Sequence, residues 1–170
     1  MADNIILIGF MGVGKGRTAR ELARLTGRFT VDTDDLIESF TKLKIRKIFG
    51  SYGEETFRSM ERQTAQWLET NVNNTIVSTG GGFFMVDNIS ELGQVIYLHS
   101  SVKHIIETIQ RHPNGAKKIK KRPLLQDLDK AKELYSRRLP LYREAAAYEV
   151  NVEGKEIAHV AEEIMKILAI

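Results

Sequence analysis

The sequence predicts an α/β domain, a parallel sheet with helices packed on both faces. Three observations carry that reading. Ile5 to Ile8 is a short, wholly apolar run rich in β-branched residues, the pattern of a strand buried on both faces. Gly9, Gly12 and Gly14 follow it, then Lys15 and a stretch with helical spacing, so a strand leads through a glycine-rich turn into a helix. Beyond that point short apolar runs alternate with amphipathic stretches to the end of the chain, and strands joined through helices lie parallel.

The 170 residues suffice for one domain with a real core, and the apolar and charged shares, 42% and 28%, fit an ordinary globular chain. Cysteine is absent, which excludes a disulfide framework and a thiolate metal site. No apolar run reaches the ~20 residues of a membrane-spanning helix, and the N-terminus lacks a signal-peptide pattern. The expected location is therefore the cytoplasm, with no membrane partner. A net charge of +3 suits anionic ligands. Six of the twelve residues 111–122 are Lys or Arg, which would also suit nucleic acid, but no aromatic RNA-binding motif accompanies them and none is expected to bind. A monomer is expected, since no apolar surface stripe stands out.

The first turn reads as a phosphate-binding P-loop. Its glycines let successive N–H groups point inward at an anion, the following helix adds its positive end, and Lys15 reaches the outer phosphates. Gly16 breaks the pattern, standing where a hydroxyl should ligate Mg2+. Thr18 does not substitute, being ~200° further round the helix. Arg17 to Thr26 forms that helix, with Ala19, Leu22 and Ala23 inward and Gly27 ending it.

Phe29 to Val31 is a second strand, delivering Asp32, Thr33 and Asp34 at its C-terminal end, where open α/β sheets bind ligands. Two readings stand open there: carboxylates for Mg2+ or substrate hydroxyls, or an Asx-turn and helix cap. Leu36 to Phe40 is helical. Glu54 to Val72 is a long amphipathic helix, with Phe57, Met60, Thr64, Trp67 and Leu68 as its core stripe. Arg58 and Glu61 share a face, as a surface ion pair or as an arginine held ready for a carboxylate.

Thr75 to Thr79 is a third strand, ending in Gly80, Gly81 and Gly82, a run that suggests backbone approaching a ligand closely. Gln94 to Leu98 and His104 to Gln110 are the next strand and helix, with His99 and His104 expected at the surface. Residues 111–128 are basic and jointed by Pro113, Gly115 and Pro123. A loop of that kind is a lid over polyphosphate or a solvated basic segment. Lys130 to Ala147 is helical up to Pro140 at least and carries Arg137, Arg138, Tyr142 and Arg143. Tyr148 to Val152 is a fifth strand, and Ile157, Val160, Ala161, Ile164, Ile167 and Leu168 give the last helix its apolar face.

Taken in order, Gly-Phe-Met-Gly-x-Gly-Lys, Asp32-Thr33-Asp34, Phe57-Arg58-x-x-Glu61, Gly80-Gly81-Gly82, Arg122-Pro123-Leu124-Leu125 and Arg138-x-Pro140-Leu141-Tyr142 resemble the shikimate kinase family nearly end to end. The resemblance implies a three-layer α/β/α P-loop fold, with a five-stranded parallel sheet of order 2-3-1-4-5. It implies one kinase domain over 1–170, with a substrate-binding subdomain around 33–62 and a lid around 112–125. The implied reaction moves the γ-phosphoryl of ATP, with Mg2+, to the 3-hydroxyl of shikimate, in the route to chorismate and aromatic amino acids.

By position, Lys15 and Arg122 would stabilise the transferring phosphoryl, and Asp34 would bind substrate hydroxyls and assist the nucleophile. Arg58 and Arg138 would clamp the acid, with Gly80, Gly81 and Gly82 offering backbone contacts. Gly12, Val13, Gly14, Gly16, Arg17, Arg111 and Asn151 would join Lys15 and Arg122 around ATP, and Asp32 would position Mg2+.

Family members carry Ser or Thr where this chain has Gly16. One Mg2+ ligand is thereby lost, a gap that water can fill. The expectation is an active enzyme with weaker MgATP handling, with Arg17 either adding charge near the α-phosphate or pointing to solvent. Two alternatives remain beside it. One is another small-molecule kinase on the same scaffold, such as a gluconate-type kinase, against which the Arg58, Arg138 and glycine-run set speaks. The other is a degenerate P-loop protein that binds without catalysis, for which Gly16 is the argument.

Overall fold

A computed structural model describes residues 3–120 and 123–170. Five parallel strands make one sheet: β1 (Ile5–Ile8), β2 (Thr30–Asp32), β3 (Ile76–Ser78), β4 (Gln94–His99) and β5 (Tyr148–Asn151), in the order β2-β3-β1-β4-β5. β1 is central, Ile6 sitting between Val77 and Val95, and all four of its residues are buried. This is why its sequence is an unbroken apolar run. Order and direction match those implied by the family resemblance.

The helices are α1 (Lys15–Thr26), α2 (Thr33–Thr41), α3 (Ile45–Asn71), α4 (Val102–Gln110), α5 (Gly115–Lys120), α6 (Leu128–Ala145) and α7 (Ile157–Leu168). One apolar cluster spans the sheet and the helices against it. A second, smaller one joins Ile37, Ile48 and Phe57, with Leu43, Ile45 and Met60, and holds α2 to the front of α3.

Several elements depart from the sequence reading. α3 begins at Ile45, nine residues earlier than expected, and is two helical segments meeting at Gly53 (φ 82°, ψ 170°). Its buried stripe is Phe57, Glu61, Ala65 and Leu68. Trp67, expected in that stripe, is 45% exposed, because two residues from Ala65 is about 200° round the helix. His99 and His104 are half-buried rather than on the surface. His99 Nδ1 lies 3.2 and 3.3 Å from the hydroxyls of Tyr97 and Tyr135, and His104 Nε2 accepts the Gly154 N–H. The basic segment is not simply a loop, since it contains α5 and a 3-10 turn, Pro123–Gln126.

Candidate active site

The C-terminal edge of the sheet carries the site. Gly14 is the N-terminal cap of α1 at φ 109°, a left-handed conformation that only glycine adopts without strain, and no side chain caps the helix. The first-turn amides thus face the loop with their dipoles uncompensated. Lys15 is 7% exposed, its ammonium donating to the carbonyls of Gly9 (2.7 Å) and Phe10 (3.1 Å). A cleft of about 400 Å³ opens over this turn. Gly12, Gly14, Lys15, Gly16 and Arg17 line it from the loop, and Asp32, Asp34, Gly80 and Gly81 line it from the other side.

A second cleft of about 250 Å³ adjoins it, with Gly12, Arg17 and Thr108 lining both. Val13 and Arg111 line this second space, as do Val152 and residues 154–157. Arg17 curls back along the loop, its Nη2 3.7 Å from where a Cβ on Gly14 would sit. Asn151 lines neither cleft. It ends β5 as an exposed residue whose Oδ1 accepts the Glu153 N–H at 2.8 Å, and the neighbouring Val152 faces the cleft instead. Arg122 lies outside the described residues.

Asp32 is the helix cap that one reading of its motif expects. Oδ1 caps α2 by accepting the N–H groups of Asp34 (3.0 Å) and Asp35 (3.4 Å), while Oδ2 accepts the Ser78 hydroxyl at 2.8 Å. The carboxylate still lines the first cleft. Above Gly16, the nearest atoms to an added Cβ are Arg20 Nη1 at 3.6 Å and Ser78 Oγ at 3.8 Å. Among the described residues no three His, Cys, Asp or Glu side chains could hold a metal together. The donor set suits a hydrated Mg2+ carried on phosphates, with Asp32 and Ser78 beside its waters, and not a cation caged by protein.

On the far side of the cleft Asp34, Arg58, Glu61 and Arg138 gather around the glycine run. Thr33 Oγ1 accepts the Gly80 N–H at 3.0 Å, and the Gly81 carbonyl accepts from Arg138 Nη1 (3.1 Å) and the Tyr142 hydroxyl (2.5 Å). A side chain at Gly80 or Gly82 would push the site's own groups aside. A Cβ on Gly80 would lie 2.7 Å from Asp34 Oδ1, and one on Gly82 would collide with the Arg58 guanidinium. Arg58 donates through Nη1 to Glu61 and through Nε and Nη2 to Glu54.

Asp34 Oδ1 and Glu61 Oε1 are buried and have no hydrogen-bond partner among the described residues. Burial, with help from the Asp32 and Glu61 carboxylates, pushes the Asp34 carboxyl up to about 7, against the pull of Lys15. Burial also raises Glu61, in spite of Arg58. Orphaned acceptors at such a cost mark a place for donors from outside the chain, and neighbouring hydroxyl groups of a small ligand fit them.

Sequence reasoning did not single out Glu54, Arg20, Ser78 or the role of Tyr142. Only Tyr142 left a signal, as the last residue of the Arg138-x-Pro140-Leu141-Tyr142 motif.

The family model described as shikimate kinase matches residues 11–169. A shikimate kinase of Helicobacter hepaticus is 37% identical over 98% of this chain and 96% of its own length. One from Thermus thermophilus is 37% identical over 98% of this chain and 90% of its own. Among solved structures, shikimate kinase from Acinetobacter baumannii in complex with shikimate superposes with a TM-score of 0.86 at 32% identity, over 99% of this chain and 94% of that one. With a family model covering nearly every residue and that degree of identity held along the whole length, the chain belongs to the shikimate kinase family.

Proposed function

We propose that the protein transfers the γ-phosphoryl group of ATP to the 3-hydroxyl of shikimate, giving shikimate 3-phosphate and ADP. The observation that carries the reading is one cleft with Lys15 on one wall and Asp34, with its unsatisfied Oδ1, on the other. A phosphoryl donor and a hydroxyl acceptor held there would meet between a cation and a proton acceptor. Phosphoryl transfer needs little more than such positioning and charge neutralisation.

The roles follow from place. The P-loop amides and Lys15 hold the phosphates, and the ammonium exchanges the Gly9 and Phe10 carbonyls for phosphate oxygens. Arg17, at the junction of the two clefts, stands where the α-phosphate would run. Arg111 and the segment from Val152 to Ile157 line the space left for adenine. Arg58 and Arg138 grip the acid's carboxylate. The glycine run supplies backbone groups, and Asp34 accepts the proton of the attacking hydroxyl. Arg122, from the family motif, joins Lys15 on the transferring group. Mg2+ bound with ATP would supply charge neutralisation at the phosphates, and Asp32, which lines the cleft, would hold its waters.

The small cluster around Ile37, Ile48 and Phe57 supports a substrate-binding subdomain over 33–62, and the jointed basic segment supports a lid over 112–125 that excludes water. No helix among the described residues is long and apolar enough to cross a membrane. A cytoplasmic monomer is the proposed working form.

The test is ADP release with and without shikimate, and with gluconate in its place, across Mg2+ concentrations. Release that depends on shikimate and ignores gluconate supports the reading. Tight binding with no ADP formed would favour a non-catalytic P-loop protein.

A further inference from the structure

The arginine expected to receive the acid is already engaged. Arg58 donates through Nη1 to Glu61 Oε2, and through Nε (3.2 Å) and Nη2 (2.9 Å) to Glu54 Oε1. The Nε and Nη2 edge is the one a carboxylate meets with two parallel bonds. The two glutamates differ. The Glu61 side chain is 2% exposed and grips Arg58 from the core, whereas that of Glu54 is 63% exposed and reaches it from solvent.

Charge sharpens the point. Two guanidinium groups, Arg58 and Arg138, stand with three carboxyl groups, Asp34, Glu54 and Glu61. An acid entering this set must take the place of a carboxylate already on Arg58, Glu54 or Glu61. Asp34 and Glu61 are enclosed. Glu54 can leave, because an exposed ion pair is worth at most about fivefold in an equilibrium. It is also the first residue after Gly53, where α3 is interrupted and nothing lies within 4 Å of an added Cβ.

We propose that Glu54 is a resident stand-in for the substrate's carboxylate, holding Arg58 in its binding geometry while the site is empty and displaced when the acid arrives. The proposal rests on the reading of Arg58 as the acid's anchor. It makes Glu54 a specificity-determining residue: a neutral polyol cannot compete for the Arg58 edge, whereas an acid can.

Calorimetric titration of the full chain with shikimate, without nucleotide, tests it. Glu54→Gln and Glu54→Ala should bind shikimate about two- to fivefold more tightly than the wild type. Glu55→Gln removes the same charge from the neighbouring residue, whose partner is Arg62, and should leave the affinity where it was. Shikimate methyl ester, lacking the anion, should gain nothing from either Glu54 variant.

Unchanged or weaker binding in both Glu54 variants would overturn the proposal, making Glu54 idle or a mere prop for Arg58. An equal gain in Glu55→Gln would overturn it too, as a general charge effect. If shikimate binds neither the wild type nor the variants, the acid-site reading itself falls, and the proposal falls with it.

Discussion

The two walls of the cleft are built in opposite ways. The wall proposed for the nucleotide is mostly backbone: a glycine-capped helix start, amides aimed in advance, and Lys15 fastened over the turn by two carbonyls. The wall proposed for the acid is mostly side chains, drawn from α2, α3 and α6 onto the run after β3. Its charges are already partly cancelled by one another. A polyphosphate carries several charges in a regular row and can be met by a fixed array of N–H groups. A small hydroxylated acid offers one charge and a few hydroxyl groups, so its site needs acceptors kept unsatisfied and a cation kept from collapsing onto them. The first wall is set by the path of the backbone, the second by side chains that balance one another's charge.

The comparison breaks most visibly at Asp34, which faces Lys15 across the cleft. Asp34→Asn keeps the shape and removes the proton acceptor, so kcat should fall by roughly 10²–10⁴-fold with nucleotide affinity little changed. With the carboxyl pushed up to about 7, wild-type kcat/KM for shikimate should decline as pH falls through that value, and the variant should lose this limb.

Stability should move the other way. The folded carboxyl titrates above its usual 3.8, so the folded state holds a proton that the unfolded chain releases between about 4 and 7. Ionised Asp34 therefore costs stability above pH 7, at most about 4 kcal/mol. Asp34→Asn should raise Tm most above pH 7 and progressively less towards pH 4. A variant of unchanged kcat would remove Asp34 from the chemistry. A Tm gain equal at every pH would remove the buried charge from the energetics.

Next in size is the anchor of the acid wall. Arg58→Ala should raise KM for shikimate about 10- to 100-fold, the worth of a charge-assisted bidentate contact, with a smaller effect on kcat. It also leaves Glu61 buried without its cation, so thermal melting should be followed alongside. Arg58→Lys tests the geometry: one ammonium cannot span Glu61 and a second carboxylate, so the charge alone should recover little. A lysine variant with wild-type KM would show that the wall needs charge and not a fork.

The difference between the walls also decides what the sequence could disclose. Gly9, Gly12, Gly14 and Lys15 are read directly, because a backbone trap is written in consecutive residues. The same holds for β1, and for Gly80 and Gly82, where the absent side chains are the information. The acid wall is written across distance. Tyr142 meets Gly81 from 61 residues away, and no local pattern shows that contact. Arg58 and Glu61, three apart on a helix, read equally well as a surface pair, and only the fold buries Glu61 to 1% exposure. Glu54 and Arg58, four apart, share a face in the helix expected over 54–72, but that spacing does not tell this pair from an ordinary exposed one. Gly50 and Gly53 interrupt the helical spacing, so the front half of α3 went unread. Trp67 misled in the other direction, its size suggesting core where its angle points to solvent.

The smallest effect is expected on the nucleotide wall, at the one position where its motif fails. Gly16→Ser has room, since an added Cβ would meet nothing nearer than Arg20 Nη1 at 3.6 Å and Ser78 Oγ at 3.8 Å. The new hydroxyl would face the first cleft beside Lys15 and Asp32 and could replace one water of the phosphate-borne Mg2+. Replacing one ordered water gains little, because a bridging water is nearly as good a ligand and is cheap to hold. The Mg2+ concentration for half-maximal rate and KM for ATP should therefore fall only about two- to tenfold, with KM for shikimate unmoved, because the acid wall lies across the cleft. Rates measured against Mg2+ at fixed ATP, then against ATP at saturating Mg2+, separate the two effects. If neither moves, water serves as well as the hydroxyl and the backbone trap is complete without it. If KM for shikimate moves as well, the two walls are coupled through Asp32, whose carboxylate caps the helix that carries Asp34.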